Sequence, residues 1–477
     1  MKYDFDLTVI GGGSAGLLAA RVAPNLGVKT ALIERGRLGG DCLWTGCVPS
    51  KALLASAKAA HTLHTADRFG LPGSDAPIDT AKVWQRIHDI QEEIAAHEDS
   101  PEAVAAGGTE VIFGEALVED GHRVRVGDRV IFTRYILICT GSWPTAPPID
   151  GLQEIGFLTS ETIFQLERAP ASLLIVGGGP IGVEMAQAMN RLGVKVTLLE
   201  AFDRILTRDE PSLSEQLLAV LRNEGVDAQV GVRLERAERH NGKTLYGEAG
   251  GGKETWSADE IFVAAGRAPN IESLGLAKAG VETGPKGVIV DKHLRSSVSS
   301  IYAVGDCAGR FLFTHSAGAE TGAALRNMFY PGGQDAPTIV PWTTFTDPEL
   351  AHVGVTSEEA RKAHGQDGIC LHEADLAKSD RARADSASSG KIVVVTKKGS
   401  HEILGAHILG PSAGEMIGQF SLAIQQQIPL VPAFRDLIQV YPTYATSITQ
   451  LTEEAVYEQL ERPFYRAARK LGDLLGE

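Results

Sequence analysis

Cysteine is scarce in this chain: five residues in 477, at positions 42, 47, 139, 307 and 370. So low a count excludes a disulfide-built scaffold, and only Cys42 and Cys47 lie close in sequence. Long apolar runs are missing as well. No window reaches the ~18 uninterrupted apolar residues of a membrane-spanning helix. The chain passes from Met1–Lys2 into a strand-like segment, Phe5–Ile10, with no apolar leader and cleavage site. Positive charge is short: 45 Lys and Arg against 60 Asp and Glu leave a net charge of −15. Nucleic acid is not an expected partner, because duplex binders present a basic face. The short basic stretch Arg462–Lys470 reads as a solvated helix face. A cytoplasmic protein with no membrane span fits these absences.

Glycine, by contrast, is abundant, at 53 residues clustered in a few places without a repeating period. Two of those places belong to a duplication. Leu7–Glu34 reads LTVIGGGSAGLLAARVAPNLGVKTALIE, and Leu173–Glu200 reads LLIVGGGPIGVEMAQAMNRLGVKVTLLE. Each is an apolar run, a glycine loop, a helix-period stretch, a Leu-Gly-Val turn and a second apolar run ending in Glu. That is a strand–helix–strand unit written twice. A second matched pair, Tyr135–Gly141 and Ile261–Gly266, ends in glycine with Pro144 and Pro269 just beyond. Ile301–Asp306 is one more buried-strand run with no glycine loop beside it, so the chain is expected to return there to the first unit. From Pro341 the pattern changes. Lys391–Thr396 and Ile403–Leu409 alternate like antiparallel strands, and Ala413–Gln427 and Pro432–Gln439 read as helices. The expected fold is α/β: two Rossmann-like domains and a C-terminal α+β dimerisation domain. The expected division is 1–149 with 274–338, then 150–273, then 339–477.

The glycine loops carry the clearest chemistry. Gly11, Gly13 and Gly16 sit between a strand and a helix, with Glu34 eighteen residues beyond Gly16; Gly177, Gly179, Gly182 and Glu200 repeat the spacing. Glycine lets backbone approach a pyrophosphate, the helix N-terminus supplies N–H groups and positive potential, and the acid accepts from ribose hydroxyls. Two sites imply two dinucleotides, and FAD with a nicotinamide nucleotide is the economical pair. Glu200 repels a 2′-phosphate and favours NAD(H) over NADP(H), although Arg204 lies close enough to weaken that discrimination.

Gly39–Lys51 reads GGDCLWTGCVPSK. In an unbroken helix, residues five apart lie roughly 8–9 Å apart, beyond the ~7 Å limit for a disulfide. Cys42 and Cys47 can therefore bridge only if the helix is distorted or starts between them, and Gly46 and Pro49 suit such a start. Cys47 would then sit at a helix N-terminus, where a thiolate is stabilised, with Lys51 one turn on. A zinc half-site is disfavoured because no second Cys/His pair has ligand spacing; no metal site is expected. Cys139, Cys307 and Cys370 read as small buried hydrophobes.

These segments closely resemble the class I pyridine nucleotide–disulfide oxidoreductases, the family of dihydrolipoamide dehydrogenase, glutathione reductase and mercuric reductase. The resemblance runs through both glycine loops, GGDCLWTGCVPSK, IYAVGD at 301–306 and FTDPELAHVG at 345–354, nearly the whole chain. It implies that Gly11, Gly13, Gly16 and Glu34 hold tightly bound FAD. Gly40, Lys51, Gly114, Thr140, Gly141 and Asp306 would complete that site, with His315 at the start of a helix aimed at the flavin. Gly177, Gly179, Gly182, Glu200 and Gly266 would hold the nicotinamide nucleotide. By the same resemblance Cys47 faces the flavin, Cys42 attacks the substrate, and Glu184 partners Lys51. Disulfide-reducing members carry a catalytic His, followed by a Glu, near the C-terminus, contributed by the second subunit of a homodimer. Here Tyr441 and Thr446 take those places. Tyr441 is similar to mercuric reductase, but that family ends in a vicinal cysteine pair, and this sequence ends Leu474-Leu475-Gly476-Glu477.

The expected activity is two-electron transfer between NAD(P)H and an acceptor through flavin and a Cys42–Cys47 redox disulfide. The acceptor class is a small or protein-bound disulfide or dithiol, or a thiophilic metal ion. The competing readings are a mercuric-type reductase, a flavin NADH oxidase or quinone-type reductase with vestigial cysteines, and a redox-sensing flavoprotein acting through a partner protein.

Overall fold

The computed structural model describes residues 2–460 except 98, 241 and 388, together with 467–471 and 473. The basic stretch 462–470 and the last four residues therefore lie largely outside the described residues.

Each duplicated segment folds as the pattern requires. Phe5–Ile10 and Thr30–Glu34 pair in parallel, as do Ser172–Val176 and Lys195–Leu199. The intervening helices, Ser14–Asn25 and Pro180–Arg191, are each 12 residues long. These strands are continuous apolar runs because helices cover both faces of a parallel sheet; Leu7, Leu32, Ile33 and Leu173 are fully buried.

The first sheet has seven strands. Thr109–Phe113, Thr30–Glu34, Phe5–Ile10 and the long strand Arg129–Ile138 run side by side, and the antiparallel hairpin Ala116–Asp120 and Arg123–Val126 extends one edge. Ile301–Ala303 joins this sheet beside Arg129–Ile138, so the chain does return there after the second unit. The second sheet has four parallel strands, ordered Asp227–Gln229, Lys195–Leu199, Ser172–Val176, Glu260–Val263. A separate three-stranded antiparallel sheet spans Arg233–Ala258. Between the two parallel sheets the chain crosses on a narrow ribbon, Ser142–Pro144 against Arg267–Pro269.

The C-terminal portion is a five-stranded antiparallel sheet, ordered Trp342–Thr344, Glu349–Gly354, Ile403–Gly410, Lys391–Lys397, Ile369–Asp375. The expected strands at 391–396 and 403–409 pair here. Two expected helices are shorter than the pattern suggested. The first ends at Gln425, and Gln427 takes a left-handed conformation (φ 54°). The second spans Leu430–Asp436 and stops before 437–439. It also breaks at Val431 (φ −118°, ψ 133°), because the residue before a proline is driven out of helical geometry.

Candidate active site

The helix break expected between the two cysteines is present. Cys42 lies in a short helix, Gly40–Trp44, and a new helix, Cys47–His64, opens on Cys47 itself. Cys42 and Cys47 are both thiols, with Cys47 exposed and Cys42 half-buried. A hydrogen bond shared by the two sulfurs divides their acidities. It raises Cys42 far above the ordinary thiol range, with burial adding to the effect. It lowers Cys47 to about 6, helped by the Thr314 hydroxyl and the charge of Lys51 and opposed by burial and Asp41. Thr314 Oγ1 lies 3.5 Å from Cys47 Sγ. The reduced pair thus holds one thiolate, on Cys47, and one thiol, on Cys42.

Lys51 is anchored from the second parallel unit. Its Nζ donates to Glu184 Oε2 at 2.8 Å, and Glu184 is 6% exposed. The other oxygen, Oε1, accepts from the Phe345 backbone N–H at 2.8 Å, while the Phe345 ring lies 4.4 Å from the ammonium. Two remote chain segments therefore converge on one lysine beside the sulfurs.

The first glycine loop wraps tightly around its neighbours. A Cβ at Gly11 (φ +103°) would meet the Cys139 carbonyl at 2.5 Å, and one at Gly40 (φ +58°) would meet Gly13 Cα at 2.6 Å. Glu34 accepts from Gly12 N at 2.6 Å and Gly36 N at 2.8 Å. A cavity of about 230 Å³ opens here, lined by Gly11, Glu34, Gly114, Thr140 and Asn270 among others. Asn270 closes on the turn after Ile138, bonding Gly141 O through its backbone and Thr140 O through its side chain. Asp306 accepts from Ser142 Oγ at 2.5 Å; burial raises its pKa, while that bond and the Arg267 charge lower it.

The second loop repeats the design. Gly177 (φ +110°) packs on the Ala264 carbonyl, and Gly182 packs on the Gly177 carbonyl. A Cβ at Gly179 would meet nothing within 4 Å, so this side of the loop is open. Gly179 and Gly266 line one small cleft. Glu200 accepts from the backbone N–H groups of Gly178 and Phe202. Arg204 turns to Glu358, 3.2 Å away.

His315 stands in the first turn of the Thr314–Phe329 helix and engages Pro341 O through Nε2 at 2.7 Å. Tyr441 is 70% exposed, and its hydroxyl donates to Asp380 Oδ2 at 2.9 Å, which raises its pKa above the ordinary tyrosine value. Within the single chain that bond runs to its own C-terminal portion and not toward Cys42. Thr446 opens the next helix.

Sequence reasoning missed two groups. Thr314 is one; its only sequence signal was its place at the start of a helix. The other is Arg267, whose Nη2 reaches Asp41 Oδ2 at 2.9 Å and whose Nε reaches Ser142 Oγ at 2.7 Å. It links the ribbon to the residue preceding Cys42.

Comparison with known proteins agrees with this geometry. The family described as "Pyridine nucleotide-disulphide oxidoreductase" matches residues 5–321. The chain belongs to this family. Its dimerisation domain matches residues 340–452. Mercuric reductase of Bacillus cereus is 33% identical over 429 residues, covering 89% of this chain and 67% of that protein. Dihydrolipoyl dehydrogenase of Bacillus subtilis (strain 168) is 32% identical over 445 residues, covering 89% and 92%. Among solved structures, the Cu(II) complex of the HOCl-induced flavoprotein disulfide reductase RclA from Escherichia coli superposes with a TM-score of 0.83 at 27% identity, covering 94% of this chain and 99% of that one. Members of the pyridine nucleotide–disulphide oxidoreductase family bind FAD and a pyridine nucleotide. Both glycine loops fit such groups, since they exclude side chains where backbone must approach a phosphate and leave Gly179 open. No helix among the described residues is long and apolar enough to cross a membrane.

Proposed function

We propose that this flavoprotein disulfide oxidoreductase passes two electrons between NAD(H) and an acceptor disulfide or donor dithiol through Cys42 and Cys47, in the manner of a dihydrolipoamide dehydrogenase. The observation that carries the reading is the placement of the pair, with Cys47 opening a helix 3.5 Å from Thr314 Oγ1 and Cys42 in the short helix just before it. Cys47 is held as a thiolate at a helix N-terminus beside Thr314 and Lys51, and Cys42 is kept as a thiol at its side.

FAD, when bound, supplies the two-electron exchange between nicotinamide and sulfur. Gly11, Gly13, Gly16, Glu34, Gly40, Gly114, Thr140, Gly141 and Asp306 would hold it, with the His315 helix pointing its N-terminus there. Gly177, Gly179, Gly182, Glu200 and Gly266 would hold the nicotinamide nucleotide. Two observations support NAD(H): Glu200 places a carboxylate at the loop, and Arg204, the cation nearest it in sequence, is drawn off to Glu358. The Lys51–Glu184 pair keeps a fixed positive charge where the reduced centre gains negative charge. Cys42, once deprotonated, attacks the acceptor disulfide; one acceptor sulfur leaves and takes the proton. Cys47 then displaces the second acceptor sulfur from Cys42. That sulfur leaves as a thiolate and takes a proton from water, so one disulfide is reduced to two thiols while the Cys42–Cys47 pair, one thiol and one thiolate, becomes a disulfide.

A second reading is supported by Tyr441, which stands where disulfide-reducing members carry a His. A thiophilic metal ion needs two thiolates and no general acid at that place. The similarity to mercuric reductases, and to a reductase solved as its Cu(II) complex, favours the same reading. A homodimer would bring Tyr441 to the partner's cysteines. The sheet memberships above support the division 1–149 with 274–338, 150–273 and 339–477.

The test is NADH oxidation by the FAD-loaded protein with lipoamide, glutathione disulfide, mercury(II), copper(II), a quinone and oxygen, alongside Cys42→Ser. Turnover with a disulfide or metal ion that is lost in Cys42→Ser supports the relay. Unchanged turnover with every acceptor in Cys42→Ser means vestigial cysteines. Negligible turnover throughout points to sensing through a partner.

A further inference from the structure

Two histidines unused by this chemistry face each other inside the C-terminal sheet. His352 and His407 lie directly opposite on neighbouring antiparallel strands and are 1% and 0% exposed. Their hydrogen bonds fix how many protons they hold. His352 Nε2 engages the Gly354 carbonyl at 3.0 Å, and His407 Nε2 engages the Val355 carbonyl at 3.1 Å. A carbonyl only accepts, so both Nε2 atoms carry hydrogen. The two Nδ1 atoms are 3.0 Å apart, an ordinary N–H···N separation, so one of them carries hydrogen as well. Two neutral imidazoles own two such hydrogens, and the geometry calls for three.

A metal ion between the Nδ1 atoms would need further ligands. The described residues hold no group of three or more His, Cys, Asp or Glu that could supply them.

A counter-charge is in place. Glu210 is 4% exposed, and its Oε2 lies 3.9 Å from His407 Nε2. Its other partners are neutral donors, the Ser357 N–H at 2.8 Å and hydroxyl at 2.7 Å. The remaining neighbours are mixed. Trp342 stacks on His352 with centroids 3.7 Å apart, a contact that favours a cationic ring. Arg208 lies over the Trp342 ring at 5.0 Å and opposes charge on His352. Glu359 favours charge on His407, and Arg361 reaches Ser357 Oγ at 3.3 Å. Asp209, raised to about 7 by burial, accepts from Trp342 Nε1 at 2.9 Å. Burial works against the extra proton, pushing His407 down to about 4 and, with the charges of His407 and Arg208, His352 to about 2. A neutral pair, however, strands a buried carbonyl or sets two lone pairs face to face, and leaves Glu210 without a cation.

We propose that His352 and His407 share one extra proton between their Nδ1 atoms as a buried monocation, and that Glu210 neutralises it. The ion pair then clasps segment 206–210 of the second parallel unit onto the C-terminal sheet. That segment backs the second glycine loop, since Leu206 N donates to Gly178 O at 2.9 Å. The clasp is a proton-dependent brace behind the nucleotide loop, and it stands independently of which acceptor the enzyme reduces.

The experiment compares melting temperatures of FAD-loaded wild type and His352→Gln from about pH 5.5 to about pH 8.5. A proton retained above the ordinary imidazole value near 6.5 stabilises the fold below that value and is lost as pH rises. The wild-type advantage should therefore be largest at low pH and shrink by several degrees toward high pH. Asp209, bonded to Trp342 beside the pair, titrates in the same range, so both proteins are compared in an Asp209→Asn background. An advantage that is constant, or that grows with pH, overturns the proposal. If His352→Gln does not fold, ring-nitrogen NMR of histidine-labelled wild type at about pH 7 decides. One unprotonated nitrogen in this pair supports the shared proton; two overturn it.

Discussion

Lys51 Nζ and Glu184 Oε2 stand 2.8 Å apart although 133 positions separate them in sequence, and the contact joins the helix that opens on Cys47 to the helix behind the second glycine loop. The ion pair fixes the lysine charge near Cys47. Lys51→Gln should raise the Cys47 pKa by about one unit, as loss of a nearby opposite charge does. The pH profile of iodoacetamide alkylation reads this directly, and an unmoved midpoint would show that Lys51 does not hold the thiolate.

The acidity of Cys47 sets a pH limit. A thiol lowered to about 6 is deprotonated above that value and protonated below it. Alkylation of the reduced protein should modify Cys47 first at pH 7 and slow about tenfold for each unit below pH 6. Peptide mapping of the reduced, flavin-free protein that found Cys42 modified first would show that Cys47 is not the more acidic thiol.

Gly179→Ala separates folding from nucleotide binding. A methyl group there meets no protein atom within 4 Å, so stability and flavin content should match wild type. The KM for NADH should rise about tenfold or more, because the methyl occupies the face where a pyrophosphate approaches. An unchanged KM places the nucleotide elsewhere.

Arg191 is a structural keystone. Its side chain is 4% exposed and meets Glu224 through two nitrogens at 2.6 and 2.8 Å and Asp347 Oδ2 at 3.0 Å. Arg191→Met leaves Glu224 with only the Gln187 amide and Asp347 with only the exposed Lys58, and should cost about 3 kcal/mol, measured by urea unfolding of the FAD-loaded protein. A loss below about 1 kcal/mol would mean the cluster is effectively solvated.

Much of this was legible in the sequence because it is local. Gly11 and Gly177 must adopt positive φ at a strand end, and the strand–loop–helix pattern around them announces it. The break between Cys42 and Cys47 followed from a distance argument over five residues. What stayed hidden depends on packing between remote segments. Arg267 and Asp41 are 226 positions apart, and Cys47 and Thr314 are 267 apart; no local pattern brings them together. The helix expected over 432–439 is present to Asp436 and stops three residues early, where Leu437 takes extended geometry (φ −72°, ψ 117°). Tyr441 was legible as a departure from the family pattern, but its bond to Asp380 was not.

The ribbon of Ser142–Pro144 against Arg267–Pro269 has only three residue pairs, a hinge too slender to resist torsion by itself. The second parallel unit is held to the first by a shared core, in which Leu53, Ala57, Trp84 and Ile87 pack with Val183, Met185 and Met189, and by Arg267, which grips the residue next to Cys42. The segment that carries Cys42 is thereby tied, through Asp41 and Arg267, to the strand that closes the second parallel unit.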